Sequence, residues 1–193
     1  MTWNTHVLIG INTLWVLELF PPELLPLEWL PFAWLPPFSD LSNIGFLAAV
    51  AALGSLLPDL DAGDSKIKHI KVAGVKPFFL PAQAIHHQFG HRSFSHSLAG
   101  LTVLIAVALP LSQFWGWLAS LTLALGYTSH LIADACTKSG IPVFYPHKRR
   151  YHLLPRSLRI TTGSGAEDVL FALLSVPLLF LLLRHLPYIS GPL

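Results

Sequence analysis

Five long apolar stretches, each close to the length needed to cross a bilayer, constrain this chain more than any other feature. They run at roughly 3–20, 42–57, 97–113, 115–133 and 168–187. A membrane's hydrocarbon core takes about 20 apolar residues of helix to cross, and backbone polar groups inside it must be satisfied within the segment. Only 11% of the residues are charged and 53% are hydrophobic, whereas a soluble domain carries about 25% charge. Mean hydropathy is +0.58. The expectation is an all-α, polytopic membrane helical bundle of about five transmembrane segments, a single domain over residues 1–193. Met1 to Asn4 has no basic run and no small-residue cleavage site follows, so no removable signal peptide is expected. A single cysteine, Cys136, excludes an intramolecular disulfide framework and a thiolate zinc site, and it reads as a small buried filler. The Pro-rich stretch from Pro21 to Pro37, with its Trp and Phe residues, suits an interfacial loop carrying aromatic anchors.

Basic residues orient the segments. Eleven of the twelve lysines and arginines fall in two loops. Lys66, Lys68, Lys71, Lys76 and Arg92 follow segment two; Lys138, Lys148, Arg149, Arg150, Arg156 and Arg159 follow segment four. The hairpin of segments three and four begins and ends in these loops, so they share a side. The positive-inside rule makes that side cytoplasmic, with the N-terminus inside and the C-terminus outside.

In this topology, ligand-type residues gather at one depth. His6 lies near the inner end of segment one, Asp59 and Asp61 end segment two, and His91 and His96 open segment three. His130 and Asp134 close segment four, and Glu167 with Asp168 opens segment five. Scattered solvating residues have no reason to converge in this way, and burying them unpartnered at a membrane edge is costly. His130 and Asp134, four apart, leave a helix on one face about 40° apart; they make a metal half-site or an internal hydrogen bond that orients the imidazole. Asp59 and Asp61 offer oxygen ligands, or merely solvate a helix end stopped by Pro58. His91 and His96, five apart, converge if a helix starts at about Ser93, with Ser93 and Ser95 as candidate caps. His86 and His87 read as solvated loop residues.

Arg92 suits a phosphate clamp or a lipid-phosphate contact, and Glu167 a ligand, a general base or a dipole-favoured helix-start charge. The basic run Lys148–Arg150 has no interleaved aromatic platforms, so no nucleic-acid partner is expected; membrane lipids and a phosphate-bearing substrate are. No zincin motif, Walker loop or nucleophile elbow occurs. The mixed nitrogen and oxygen donors favour zinc, with manganese or iron as alternatives.

The ordered blocks Thr5-His6-Val7-Leu8-Ile9-Gly10, Leu56-Leu57-Pro58-Asp59-Leu60-Asp61, Gly90-His91-Arg92-Ser93-Phe94-Ser95-His96-Ser97 and Gly126-Tyr127 through Ser129-His130-Leu131-Ile132-Ala133-Asp134 carry a family resemblance. Ser139-Gly140-Ile141-Pro142 and Thr162-Gly163-Ser164 followed by Glu167 continue it over nearly the whole chain. The chain resembles the YdjM-like bacterial inner-membrane proteins, described as predicted metal-dependent hydrolases and associated in some bacteria with LexA-controlled DNA-damage responses. The resemblance implies an inner-membrane location. The same ordered set looks loosely like that of zinc-dependent phospholipase C enzymes. Family members typically carry histidine directly after the second Asp of the Asp-x-Asp pair, where Ala62 stands here; this implies a lost metal position or a substitute in Asp64 or His69.

The functional expectation is metal-assisted hydrolysis of a lipid phosphoester at the cytoplasmic face. His6, Asp59, Asp61, His91, His96, His130 and Asp134 would hold one or two ions, Asp61 or Glu167 would take a proton, and Arg92 would neutralise oxyanion charge. The alternative is a non-catalytic metal-binding scaffold or carrier whose site is closed or degenerate.

Overall fold

The computed structural model describes residues 1–19, 41–61, 69, 71, 74–76, 79–80, 83 and 94–185. All five expected segments are helical, and no β-strand forms among the described residues, which hold isolated bridges such as Thr137 with Ile160 and Ile141 with Tyr151. Segment one is α1 (Trp3–Asn12) and α2 (Leu14–Leu19), segment two is α3 (Leu41–Leu56), segments three and four are α4 (Leu98–Trp115) and α5 (Trp117–Ala135), and segment five is α6 (Gly165–His185). Among the described residues, three stretches are long and apolar enough to cross a membrane: Ile44–Asp61, Leu98–Trp115 and Gly165–Arg184. On α4 and α6 large apolar side chains such as Leu109, Phe114, Leu173 and Phe180 face outward. An apolar surface of this extent is stable against lipid, not water.

Local chemistry sets the helix ends. Segment one breaks at Thr13, whose hydroxyl donates to Gly10 O at 2.6 Å, while Asn12 Nδ2 donates to Leu8 O and across to Leu174 O. Such side-chain bonds compete with the helical ladder. Helix α3 tightens into a 3-10 turn, Leu57–Asp61, because Pro58 has no N–H to extend the α pattern.

Two helices meet backbone to backbone in the middle of the bundle. A Cβ at Gly126 of α5 would lie 2.2 Å from Ala51 O of α3, and one at Gly54 of α3 would lie 2.3 Å from Leu123 O of α5. Only glycine permits this approach, the usual solution where lipid removes the hydrophobic drive between helices. Helix α1 packs against both α3 and α5. At one end of the crossing Leu14, Leu17, Ile44, Leu47, Leu118 and Leu181 form an apolar core. At the other, the end of α3 and the starts of α1, α4 and α6 surround the C-terminal end of α5.

Residues 136–164 fold back over that second end. Leu153 N–H donates to Ala135 O at 2.9 Å, Ile160 N–H to Cys136 O at 3.1 Å and Leu98 N–H to Val143 O at 3.0 Å. The loop is therefore tied to the C-terminus of α5 and the first residue of α4.

Candidate metal centre

Gly126, His130 and Asp134 follow one another at four-residue spacing along α5, so they share a stripe. The glycine draws α3 close, and a turn later His130 Nδ1 donates to Ser55 O at 2.7 Å. A carbonyl only accepts, so His130 carries its proton on Nδ1 and, when neutral, presents a lone pair at Nε2. His96 is oriented less directly, through Ser95, by the Asp61 carboxylate of α3's 3-10 turn. Its Nδ1 lies 3.6 Å from Asp61 Oδ2 and 3.1 Å from Ser95 Oγ, and Ser95 Oγ in turn donates to Asp61 Oδ2 at 2.5 Å. Tyr127, on the turn before His130, donates its hydroxyl to Ser95 O.

The two Nε2 atoms, from His96 and His130, then face each other at 3.2 Å. When both rings are neutral, two lone pairs at that distance repel unless a metal ion or a shared proton lies between them. Asp59 Oδ1 is 3.5 Å from His96 Nε2 and 3.8 Å from His130 Nε2. Asp134 Oδ2 is 3.7 Å and 3.8 Å from the same two nitrogens. Donors placed 2.0–2.1 Å from a tetrahedral zinc are about 3.4 Å apart, and these separations bracket that value. The four carboxylate separations are long for hydrogen bonds.

His6 extends the cluster. Its ring stacks on His130, centroids 3.7 Å apart and 14° from parallel, and Nε2 lies 3.3 Å from Asp134 Oδ1. Neither ring nitrogen of this buried histidine has a hydrogen-bond partner of acceptable geometry among the described residues. Asp134 Oδ1 also accepts from the Met1 amine at 2.5 Å. Two three-residue groups able to hold an ion result: His6, His130 and Asp134, and Asp59, His96 and His130. His6, His96, His130, Asp61 and Asp134 are fully buried, whereas the Asp59 side chain is 22% exposed. The orphaned His6 nitrogens, the facing lone pairs and the excess of buried carboxylate all fit a divalent cation.

The remaining expected residues divide as follows. Asp61 bonds to Ser95 and flanks His96 from behind, the position of a group that sets a ligand's tautomer. Glu167 is in neither group: Oε1 accepts from Thr2 N–H at 2.6 Å and Thr2 Oγ1 at 2.9 Å, and Oε2 from Gly163 N–H at 2.7 Å. It ties the start of α6 to the start of α1, the helix that carries His6. His91, Arg92 and Ser93 lie outside the described residues, as do His86, His87, Ala62 and Asp64. His69 is exposed and in neither group.

Helix α4 begins at Leu98, not near Ser93, and its cap is Ser97, whose hydroxyl accepts from Gly100 N–H. Ser95 is unavailable as a cap because the buried Asp61 carboxylate holds its hydroxyl. Cys136, half-buried at the C-terminus of α5, has its thiol pKa pushed up by burial. That agrees with a filler and not a nucleophile.

Two contributors escaped the sequence reading. Ser55 acts through its carbonyl, which no side-chain motif reports. Tyr127 had a signal, its place on the same face as His130 one turn earlier, but its partner is a backbone atom 32 residues away.

Fold and centre together define a helical membrane protein with a buried His/Asp cluster able to hold a metal ion. The chain belongs to the family described as YdjM inner membrane protein, which it matches over residues 1–187. It is similar to the uncharacterized protein YvsG of Bacillus subtilis (strain 168), 34% identical over 126 residues, 65% of this chain and 71% of that one. It is also similar to the inner membrane protein YdjM of Escherichia coli (strain K12) and of Shigella flexneri, 36% identical over 110 residues in each case. Those matches cover 53% of this chain and 50% of each relative, so the alignment spans about half of the enterobacterial proteins. No solved structure matches the chain.

Proposed function

We propose that this protein is a membrane-bound, metal-dependent hydrolase acting on a phosphoester at the cytoplasmic face of the plasma membrane. The observation that carries the reading is the pair of facing Nε2 atoms, His96 and His130, flanked by the carboxylates of Asp59 and Asp134 and by His6. Zinc is the ion these donors favour, with manganese or iron next. A divalent cation there supplies Lewis acidity toward a phosphoryl oxygen and lowers the pKa of water.

The chain's own residues do the rest. Ser55 O and Asp61 hold the two imidazoles in the tautomer that leaves Nε2 available, and Glu167 anchors the helix carrying His6. Among Asp59, Asp61 and Asp134 only Asp59 is partly exposed, so the cluster meets water on the Asp59 side, and Asp61 or Glu167 is assigned the proton-accepting role from sequence. Arg92 is assigned the oxyanion role from sequence.

A second reading, a metal-binding scaffold or carrier, draws support from the near-complete burial of the other ligands. Metal analysis of detergent-purified protein tests what both share: wild type is expected to retain metal stoichiometrically, and His96→Ala and Asp134→Ala to lose it. Unchanged metal content in both variants, with the fold intact, would remove the basis for either reading. Release of a phosphorylated headgroup by metal-loaded protein, abolished by chelation, then separates the enzyme from the scaffold.

A further inference from the structure

Residues 135–166 contain six basic residues and not one acidic residue. The structure gives this charge a definite platform. The segment is closed by two short bridges, Thr137 with Ile160 and Ile141 with Tyr151, and bonded to the ends of α4 and α5. Lys138, Lys148, Arg149, Arg150 and Arg156 are exposed on it. Arg150 is steadied by Gly140 O at 3.2 Å, and the Arg149 guanidinium lies over the Tyr151 ring at 5.5 Å.

Three large apolar side chains are exposed on the same segment: Phe144 at 52%, Leu153 at 61% and Leu158 at 64%. Their depth is set by the backbone. Phe144 adjoins Val143, whose carbonyl receives Leu98 N–H at the start of α4. The Leu153 N–H reaches Ala135 O at the end of α5, and Leu158 lies two residues before Ile160, which reaches Cys136 O. All three therefore sit level with helix ends, where hydrocarbon gives way to headgroups. Apolar side chains at that level beside exposed basic ones are the pattern of an interfacial lipid contact.

We propose that residues 136–164 form a docking surface for anionic phospholipid headgroups of the membrane in which the protein sits. Phe144, Leu153 and Leu158 enter the headgroup boundary, and Lys148, Arg149 and Arg156 pair with lipid phosphates. Charge complementarity selects an anionic lipid over a zwitterionic one. The surface lies on the same end of the bundle as the partly exposed Asp59, so it would hold a layer of phosphate-bearing lipid at the edge of the His/Asp cluster. The proposal concerns binding and stands apart from hydrolysis.

Full-length protein in neutral detergent with chelator, where no metal-dependent turnover can occur, is titrated with short-chain phosphatidylglycerol or phosphatidylcholine and read by native mass spectrometry. Phosphatidylglycerol is expected to bind at least tenfold more tightly, and the preference to shrink as salt rises. Near an anionic surface each basic side chain is worth about fivefold, so Lys148→Ala, Arg149→Ala and Arg156→Ala combined should weaken phosphatidylglycerol binding by more than tenfold. Lys148→Arg, Arg149→Lys and Arg156→Lys combined should keep it within about threefold. Phe144→Ser with Leu158→Ser should weaken both lipids.

Equal binding of the two lipids by wild type would overturn the proposal without needing any variant to fold. So would unchanged binding by the charge-removed variant, displacement of the lipid by an equal concentration of inorganic phosphate, or tighter binding of a single-stranded RNA of matched charge. Failure here leaves metal retention and headgroup release untouched as tests of the hydrolase reading, and their failure leaves this one standing.

Discussion

Gly126→Ala is the smallest perturbation that tests the link between the helix crossing and the centre. The added Cβ would lie 2.2 Å from Ala51 O, and ordinary contact begins at 3.4 Å. The obstructing atom is backbone inside a helix, so α3 and α5 must part by about 1.2 Å. His130 rides on α5 and its partner Ser55 O on α3, so their 2.7 Å bond would stretch to about 3.9 Å, beyond hydrogen bonding. The overpacking costs about 1–3 kcal/mol and the lost bond about 1 kcal/mol more. Metal retention should fall as well, because His130 belongs to both ligand groups. The assay pairs thermal unfolding in detergent with metal content, with Gly45→Ala as control: it lies in the same helix α3 with nothing within 4 Å of its Cβ. Gly126→Ala should melt several degrees lower and carry less metal, while Gly45→Ala should match wild type. If both variants match wild type in both readouts, the crossing does not position His130 and the reasoning fails.

Three further outcomes are expected. Asp61→Asn should keep the fold but weaken metal binding by about 10–100-fold, the usual consequence of removing a group that orients a ligand; competition with a chelator measures it, and full affinity would show that Asp61 does not set the His96 tautomer. Glu167→Gln replaces a charged acceptor that takes three hydrogen bonds, so it should cost about 1.5–3 kcal/mol of stability, read by thermal unfolding. Because His6 is carried on the tethered helix, its effect on metal should be smaller than that of His96→Ala.

The third is a pH dependence. Burial disfavours the His96 imidazolium, but the adjacent Asp59 and Asp61 outweigh it and raise its pKa above 6.5. In the metal-free protein, protonated His96 therefore contributes stability fully present below 6.5 and lost as pH rises through the raised value. Metal needs the neutral ring, so metal affinity should begin to fall at a pH above 6.5 and decline further with acid. Isothermal titration across pH 5.5–8 (a range of about 300-fold in proton activity) measures this, and a flat affinity would refute it.

The sequence by itself determined the elements. Apolar runs of near-bilayer length are a local property, and each became a helix within a few residues of its expected ends, because in lipid a segment must satisfy its own backbone. His130 and Asp134 were legible as a pair since helical periodicity alone puts them on one face. Common depth of His6, Asp59, Asp61, His96 and His130 was legible because each lies at a segment end.

Which of these residues touch was decided only by the tertiary structure. Glu167 looked equivalent to the others at the helix-end level, yet its oxygens are drawn to Thr2 and Gly163, while Asp59 reaches the histidines. Ser95 read as a helix cap until the Asp61 carboxylate, 34 residues away in sequence, took its hydroxyl and left the cap to Ser97. Depth is set by hydropathy, residue by residue. Azimuth around the bundle is set by how helices cross, and here it depends on two glycines that let α3 and α5 meet at backbone distance and turn His130 toward Ser55. No local pattern encodes that rotation, so the sequence could specify the level of the candidate metal centre but not its membership.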